Sequence, residues 1–321
     1  MDSDVRQIAA SQIDLSDTTF QITTAVDKTD LALSISAVGL LQFPILAETQ
    51  GGFLVVCGFR RIRTLTALDQ TLIQARVLPK TCSPLECACI AIADNSGQRP
   101  LNIVEQARAY TLIHKFTPPG QSWQEVARSV SLPDSDAAKN RIMPVTNMPD
   151  ALQSAILEGS IALPVALTLV ALTPDIMLPL ISFLRSLNAS LRVQRELLEM
   201  VREISLRDDI PVSQVIHAPD IAAIMEDPET PMPQKVQNVR QVFKNRRYPA
   251  LCRAEKKYHD TIRALKADPR IQVQPPRDFE GKTYHITLAV HSRKDLDALW
   301  PDAQKLAGII EQGEWLKTDE G

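Results

Sequence analysis

FLVVCGFRRIR, residues 53–63, begins with an apolar run, stops at Gly58 and continues with Arg60, Arg61 and Arg63. An apolar run of this length indicates a strand, and a glycine followed by basic residues indicates a turn into a helix. Such a turn suits an anion, because glycine lets the backbone approach closely, free N–H groups at a helix start point at the ligand, and arginine reaches phosphate oxygens. The same pattern also fits a purely structural turn.

The flanking segments extend this turn into a mixed arrangement of helices and strands. Upstream, LALSISAVG has apolar residues at helical spacing and ends at Gly39. Candidate strands are residues 45–47, 53–57 and 73–78. The sequence therefore predicts an α/β unit over residues 1–112, within a chain whose fold class is α+β.

Two helix starts downstream carry capping signatures. Ser83 is followed by Pro84 and by Glu86 three positions on, and Asn102 is followed in the same way by Glu105. A polar side chain at the cap and a glutamate at the third helical position satisfy free N–H groups reciprocally. We interpret Asn102 and Glu105 as structural residues on this basis.

Three segments in this order resemble motifs of the ParB family, the DNA-partition proteins that share a fold with sulfiredoxin. Residues 34–45 resemble that family's "SI…G…QPI", residues 58–64 its "GERRxRA", and residues 94–105 its "ENxxRxDLNPIE". The resemblance covers residues 10–172, about half of the chain. Phe59 stands in the position of the acidic residue of "GERR", and Gln98 stands in the position of the arginine of "ENxxR", with Arg99 next to it.

The resemblance implies a domain that binds CTP with Mg²⁺ and closes a protein clamp around DNA. Asp94 and Asn95 would lie near the metal, which prefers hard oxygen ligands. Phe59 replaces a carboxylate that is associated with hydrolysis, so the resemblance leaves any weak CTPase activity open. The residues that would bind the nucleotide are Gly58, Arg60, Arg61, Arg63 and Arg99.

Sulfiredoxin chemistry is not expected. The resemblance places its reactive cysteine at the position held here by Phe59, whereas Cys57 precedes the glycine at the end of the apolar run. A free thiol there fits a small buried hydrophobic residue. Cys82, Cys87 and Cys89 show no zinc-knuckle spacing, and reduced cytosolic thiols are the favoured interpretation.

The composition is that of a globular protein without a strong overall charge. The 321 residues allow two or three domains, and 45% hydrophobic with 23% charged residues is ordinary. The net charge of −3 means that any DNA contact must come from local patches. No apolar run approaches the roughly 18 residues that span a bilayer, so no membrane association and a cytoplasmic location are expected. Association with the nucleoid is what the resemblance to the ParB family implies.

Residues 113–210 show helical periodicity throughout. A helix at residues 122–130, a break at 132–134 and a second helix resemble the helix-turn-helix segment that follows the nucleotide domain in ParB proteins. A plain helical bundle is the alternative. The residues that a recognition helix would turn toward DNA are Ser135, Lys139, Asn140 and Arg141.

The last third of the chain changes its charge balance. Residues 226–234 are rich in proline, which predicts a linker. Together with a basic helix, this linker forms the segment that we assign to residues 211–245. Residues 235–270 contain eleven lysines and arginines against three acids. This fits either a second, sequence-independent DNA contact or a helix surface balanced by acids elsewhere. Residues 246–321 predict a small α+β domain, for which pairing with another copy is the default interpretation.

The leading hypothesis is a ParB-type, nucleotide-gated homodimer that binds DNA in plasmid or chromosome partition or in transcriptional regulation, with a ParA-type ATPase as a further partner. An enzyme on the same scaffold, a nuclease or a nucleotide-dependent kinase, is the alternative, with Asp94 or Glu86 as its carboxylate. A third hypothesis is an adaptor that binds DNA through residues 122–145 and a protein partner through the C-terminal unit, without any nucleotide.

Overall fold

The computed structural model describes residues 4–24, 30–279, 281 and 283–312. It divides into two compact units, residues 1–173 and 174–321. Both contain helices and strands, so the chain is a mixed α+β protein as its sequence predicts. The four-part division made from the sequence stays a prediction.

A five-stranded mixed sheet forms the centre of the first unit. Its strands lie in the order β1-β5-β3-β4-β2. The pairs β1–β5 and β3–β4 are antiparallel, whereas β3–β5 and β2–β4 are parallel. The strands are β1 (Asp4–Ala9), β2 (Ile13–Asp14), β3 (Ile45–Thr49), β4 (Gly52–Cys57) and β5 (Leu72–Leu78).

The three strands predicted from the sequence are β3, β4 and β5, and all three are confirmed. In β5 the side chains of Ile73, Ala75 and Val77 are buried and alternate with exposed ones, which is the period-2 pattern of a strand covered on one face. The sequence did not reveal β1 or β2. Most of β1 is exposed, so its apolar pattern is weak and pairing with β5 defines it.

Eight helices complete the described part of the first unit. Both capping boxes are confirmed, at Ser83 with Glu86 and at Asn102 with Glu105. A 3₁₀ helix at Met143–Asn147 follows the sixth helix. The helices are α1 (Asp30–Val38), α2 (Phe59–Ala67), α3 (Pro84–Ser96), α4 (Ile103–Phe116), α5 (Trp123–Ser129), α6 (Asp136–Ile142), α7 (Asp150–Leu157) and α8 (Leu163–Leu169).

Among its described residues, the second unit is helical apart from one antiparallel pair of strands, which confirms a small α+β arrangement near its end. The proline-rich segment is shorter than expected: Met232 begins a helix, because prolines are tolerated in a first helical turn. The elements are α9 (Pro174–Leu187), α10 (Leu191–Asp208), α11 (Val212–Ile216), α12 (Pro219–Glu226), α13 (Met232–Arg247), α14 (Pro249–Ala264), β6 (Ile271–Gln274), β7 (His285–Leu288) and α15 (Arg293–Gln312). Within the described ranges, no helix is both long and apolar enough to cross a membrane.

Helix α4 is the structural axis of the first unit. It packs against α3, α5, α6 and α7, and against the 3₁₀ helix. Its own apolar face is buried, with Val104, Ala107 and Ile113 each 1% exposed or less. One rigid element therefore supports both the end of α3 and the helices that follow it.

Candidate functional site

A cleft of about 460 Å³ opens between the first turn of α2 and the last turn of α3. Both sequence clusters reach it, although they are more than thirty positions apart. The arginine-rich turn contributes one wall, and the acidic-amide pair contributes another. The residues predicted for the nucleotide or metal that line the cleft are Gly58, Arg60, Arg61, Asp94, Asn95 and Arg99.

Gly58 sets the geometry of the turn. It has a φ of 89° and stands at the N-cap of α2. A Cβ atom at this position would lie 3.0 Å from the Cβ and 3.1 Å from the Cα of Pro44. Both the left-handed backbone and the close approach therefore require glycine. The turn directs the start of α2, where the first N–H groups have no partner within the helix, to the cleft.

We expect Gly58→Ala to be more destabilising than Gly39→Ala. Gly39 also has a positive φ, of 75°, but no atom of the residues that the structure describes lies within 4 Å of an added Cβ there. Gly39→Ala should cost the left-handed penalty alone, about 1–2 kcal/mol. Gly58→Ala should cost about 1 kcal/mol more, because the methyl group overlaps Pro44. Urea unfolding of both variants measures the difference, and equal losses would contradict the role of Pro44.

Arg61 spans the cleft. Its Nη1 donates to the carbonyl oxygens of Gln42 at 3.0 Å and Phe43 at 3.3 Å. Its Nη2 lies 3.4 Å from Oδ2 of Asp94. One guanidinium thus joins the segment before β3 to the end of α3, and it positions the carboxylate of Asp94 as well as adding positive charge.

Arg99 is held by a buried carboxylate. Its Nη1 and Nη2 donate to the two carboxylate oxygens of Glu105, each at 2.7 Å. Glu105 is 0% exposed and also accepts from the backbone N–H groups of Thr24 at 3.1 Å and Asn102 at 3.0 Å. Burial by itself raises the pKa of this carboxyl, but Arg99 and the two N–H donors outweigh it and hold the pKa below its ordinary value.

Arg63 is not among the residues that line the cleft. Its Nη2 donates to Oε1 of Gln21 at 3.2 Å, and its guanidinium carbon lies 6.0 Å from the centre of the Phe59 ring. Helical geometry explains this placement. Arg63 is one helical turn beyond Phe59, about 6 Å further from the start of α2, so its guanidinium reaches Gln21 and not the N–H groups of the first turn.

The oxygen atoms that could hold a metal ion lie at the end of α3. Asn95 donates from Nδ2 to the carbonyl of Ala91 at 2.8 Å, which leaves its Oδ1 to accept or to coordinate. Asp94 supplies a carboxylate that is partly exposed to the cleft. One carboxylate and one amide oxygen fit Mg²⁺, which binds few protein ligands and completes its octahedron with phosphate oxygens and water.

The two helix ends give the cleft a polarity. The N-terminus of α2 carries partial positive charge and favours anions, whereas the C-terminus of α3 carries partial negative charge and favours cations. Arg60 and Arg61 lie at the first end and Asp94 at the second. The arrangement therefore suits a ligand with an anionic group and an attached cation.

Phe59 and Cys57 form the apolar floor of the cleft. Phe59 is 3% exposed and belongs to the hydrophobic core beneath the sheet. Cys57 is buried as well, and burial first of all, with the nearby charge of Asp94, raises its pKa. The thiol is therefore neutral at ordinary pH, in keeping with a small hydrophobic residue.

Glu86 lies away from the cleft. It caps the N-terminal end of α3, with its Oε2 accepting from the Ser83 N–H at 2.7 Å. Asp94 is eight residues further along the same helix, about 12 Å at 1.5 Å per residue. Of the described residues that line the cleft, Asp94 is the single carboxylate. An enzyme at this site would therefore have one carboxylate to use.

The sequence did not predict several of the residues that line the cleft. They come from the segment before α1, from α1 itself and from the segment before β3, and no local pattern marks them as binding residues. The tertiary fold alone brings them to the turn after β4. These residues are Phe20, Ile22, Thr23, Leu31 and Gln42.

The predicted DNA-contacting residues lie on α6 or at its start. The Ser135 hydroxyl caps the helix, accepting from the Ala138 N–H at 3.2 Å. The Lys139 ammonium lies 4.1 Å from the centre of the Trp123 ring and 3.1 Å from Asp136. Lys139 therefore packs α6 onto α5.

Two of the predicted residues on α6, Asn140 and Arg141, are exposed. At the start of the helix, the Asp134 carboxylate accepts from Arg128 at 2.7 Å and 3.0 Å. This ion pair partly neutralises the acid next to the helix start. The surface that α6 offers to a partner is thus formed by a polar amide and a guanidinium near its C-terminal end.

Comparisons with known proteins were made for the whole chain. No family model matches it, and no curated protein sequence matches it. Among solved structures, it is similar to a C-terminally truncated chromosome-partitioning protein ParB from Caulobacter crescentus complexed to the centromeric parS site, with 21% identity, 60% of this chain and 98% of that chain covered, and a TM-score of 0.33. It is also similar to the C-terminally truncated ParB from Caulobacter crescentus complexed with CTP-γ-S. The identity is 22%, the match covers 56% of this chain and 98% of that chain, and the TM-score is 0.25. Similarity at these TM-scores assigns no residue of this chain a role.

Proposed function

We propose that this chain is a ParB-type DNA-binding protein whose cleft binds CTP together with Mg²⁺. The observation that carries the proposal is the cleft itself, where the glycine-arginine turn at Gly58 and the pair Asp94–Asn95 face each other. The two clusters are more than thirty positions apart in the sequence, and both line this cleft. Their meeting in one cavity supports a common ligand with phosphate groups and a metal ion.

The chain's own residues divide the work in this proposal. Arg60 and the first N–H groups of α2 bind phosphate oxygens. Arg61 keeps its hydrogen bonds to the segment before β3 and to Asp94, and these contacts fix the width of the cleft. Asp94 and Asn95 hold the cation, which when bound neutralises part of the phosphate charge.

Helix α4 provides a route from the cleft to the proposed DNA-binding helices. Its N-terminal end holds Arg99 through Glu105, and further along the Tyr110 hydroxyl donates to the carbonyl of Pro133 at 2.6 Å. Pro133 lies just before α6. We propose that nucleotide binding biases the position of α6 through this helix, in a homodimer that acts in partition or transcriptional regulation. A ParA-type ATPase as a partner, and nucleoid association, belong to the same proposal.

Isothermal titration of the full chain with CTP and Mg²⁺, and with ATP, GTP and UTP in parallel, tests the proposal. We expect heat with CTP, and a loss of affinity of about 10- to 100-fold in Arg60→Gln, since a charge-assisted hydrogen bond contributes about 1.5–3 kcal/mol. Arg6→Gln is the matched control, because Arg6 is an exposed arginine of β1 that pairs with Asp4. The absence of heat with all four nucleotides would end the proposal.

A further inference from the structure

Two cysteine thiols lie side by side at the start of α3. The Sγ atoms of Cys82 and Cys87 are 3.7 Å apart. Cys87 is 3% exposed, whereas Cys82 is partly exposed at the surface. Among the described residues, no other two thiols lie within hydrogen-bonding distance of each other. The fold therefore selects one pair from the five cysteines of the chain.

The backbone holds both cysteines in place. The N–H of Cys82 donates to the carbonyl of Pro79 at 2.9 Å, and the N–H of Cys87 donates to the carbonyl of Ser83 at 3.0 Å. The capping box of Ser83 and Glu86 fixes the turn between them. Cys82 is thus the residue before the N-cap and Cys87 is the fourth helical residue, the two positions at which apolar side chains often pack as a hydrophobic staple. Here two thiols occupy these positions, and thiols can react as well as pack.

We propose that Cys82 and Cys87 are an oxidisable dithiol, which a disulfide oxidant such as glutathione disulfide converts to an intramolecular disulfide. A disulfide brings its sulfur atoms to about 2.05 Å, so the two side chains need to approach by less than about 2 Å. We expect a rotation of the partly exposed Cys82 side chain to supply this shift. The bond would replace the staple by a covalent link across the first turn of α3.

The oxidation consists of two exchange steps. The Cys82 thiolate, which is the more exposed sulfur, attacks one sulfur of glutathione disulfide, and a glutathione thiolate leaves. The Cys87 sulfur then attacks the Cys82 sulfur of the mixed disulfide and expels the second glutathione thiolate. The two protein thiols lose two electrons and two protons in total, and these appear on two molecules of reduced glutathione.

The surroundings of the pair make the exchange slow. Burial, against a hydrogen bond from Cys87, raises the pKa of Cys82, and burial raises the pKa of Cys87 to about 12. Both thiols are therefore mostly protonated at neutral pH, whereas the thiolate is the attacking form. The equilibrium between dithiol and disulfide, and not the rate, is thus the quantity that tests the proposal.

The dithiol is separate from the cleft. Cys87 and Asp94 are seven residues apart on α3, about 10 Å along the helix axis. Neither Cys82 nor Cys87 is among the described residues that line the cleft. The proposal therefore does not rest on nucleotide binding, and a titration without heat leaves it standing.

Equilibration of the full chain with glutathione and glutathione disulfide tests the proposal. After an acid quench, free thiols are blocked with N-ethylmaleimide, disulfides are reduced, and the released thiols are labelled with heavy N-ethylmaleimide and located by mass spectrometry. An intramolecular disulfide depends on the inverse square of the glutathione concentration, and a mixed disulfide depends on its inverse first power. Diluting both glutathione forms about tenfold at a fixed ratio should therefore raise the oxidised-to-reduced ratio of Cys82 and Cys87 about tenfold. An unchanged ratio would overturn the proposal.

Alanine variants separate the pair from the other thiols. In Cys87→Ala, Cys82 should form only a mixed disulfide, which does not respond to dilution, and in Cys82→Ala the buried Cys87 should stay reduced. Cys89→Ala is the matched control, because Cys89 is a partly buried thiol two residues after Cys87, about 200° around the helix. This variant should keep the wild-type response. Loss of the response in Cys89→Ala, or equal oxidation of Cys57 or Cys252 in the wild type, would contradict the proposal.

Urea shows whether the fold brings the two thiols together. In the unfolded chain the hydrogen bonds that fix the pair are lost, so the oxidised-to-reduced ratio at the same glutathione composition should fall by about tenfold or more. By linkage, the disulfide should lower the unfolding equilibrium constant by the same factor and shift the urea midpoint upward. An equal or higher ratio in urea would overturn the proposal, since the two cysteines would then pair through their closeness in the sequence alone.

Discussion

Phe59→Ala is expected to lower the free energy of unfolding by about 3–5 kcal/mol. Phe59 is 3% exposed and belongs to the core cluster with Val55, Ile62 and Leu65. Removing the ring deletes apolar burial and leaves a cavity in this cluster, and both effects destabilise the fold. Guanidinium unfolding of the wild type and the variant measures the loss.

Two controls separate burial from other effects of this change. Phe53 packs against the same cluster but is only half-buried, so Phe53→Ala should cost clearly less. Phe59→Leu keeps most of the volume and should cost less than about 1.5 kcal/mol. Equal losses in Phe59→Ala and Phe53→Ala would show that Phe59 does not hold the core. The result bears on function, because a carboxylate at position 59 would be buried in the core, which costs free energy.

Glu105→Ala is expected to lower the free energy of unfolding by about 2–4 kcal/mol. The change removes the acceptor of Arg99 and of the N–H groups of Thr24 and Asn102. Arg99 is 46% exposed and can return to water, so the larger part of the loss comes from the two backbone groups. Thermal and chemical unfolding, compared with the wild type, give the value.

Glu86→Ala is the matched control for this prediction. Both glutamates complete a capping box at the third position of a helix, but Glu86 is exposed and Glu105 is buried. The Glu86 variant should therefore lose much less stability than the Glu105 variant. Similar losses would mean that Glu105 acts as a helix cap alone and does not hold the segment before α1.

The pH dependence of stability follows from the pKa of Glu105. Because its pKa is lower in the folded state than in the unfolded chain, the carboxylate stabilises the fold fully above its unfolded pKa of about 4.3. This contribution is lost as the pH falls through the folded pKa. Glu105→Gln should lack that part of the acid destabilisation, so its stability should change less than that of the wild type below about pH 4.

Much of the cleft could be predicted from local sequence. The strand before Gly58, the basic start of α2 and the caps at Ser83 and Asn102 each depend on residues within one or two turns of chain. Local chemistry therefore identified the strand-to-helix turn and the starts of α3 and α4, whereas the pair at the end of α3 was predicted from the resemblance to the ParB family. The strand β1 was missed because pairing with β5, not its own pattern, defines it.

What the sequence alone determined is the strands β3, β4 and β5 and the starts of α2, α3 and α4, since apolar period and capping chemistry act over a few residues. Only the tertiary structure decided which charges are available. Gln21, 42 positions from Arg63, takes that arginine away from the cleft, and Glu105 holds Arg99. Most lysines and arginines of α13 form ion pairs with acids on other helices. Those of α14 have no acid within ion-pair distance among the described residues. The physical reason is that an ion pair depends on distance in space, which the order of residues along the chain does not contain.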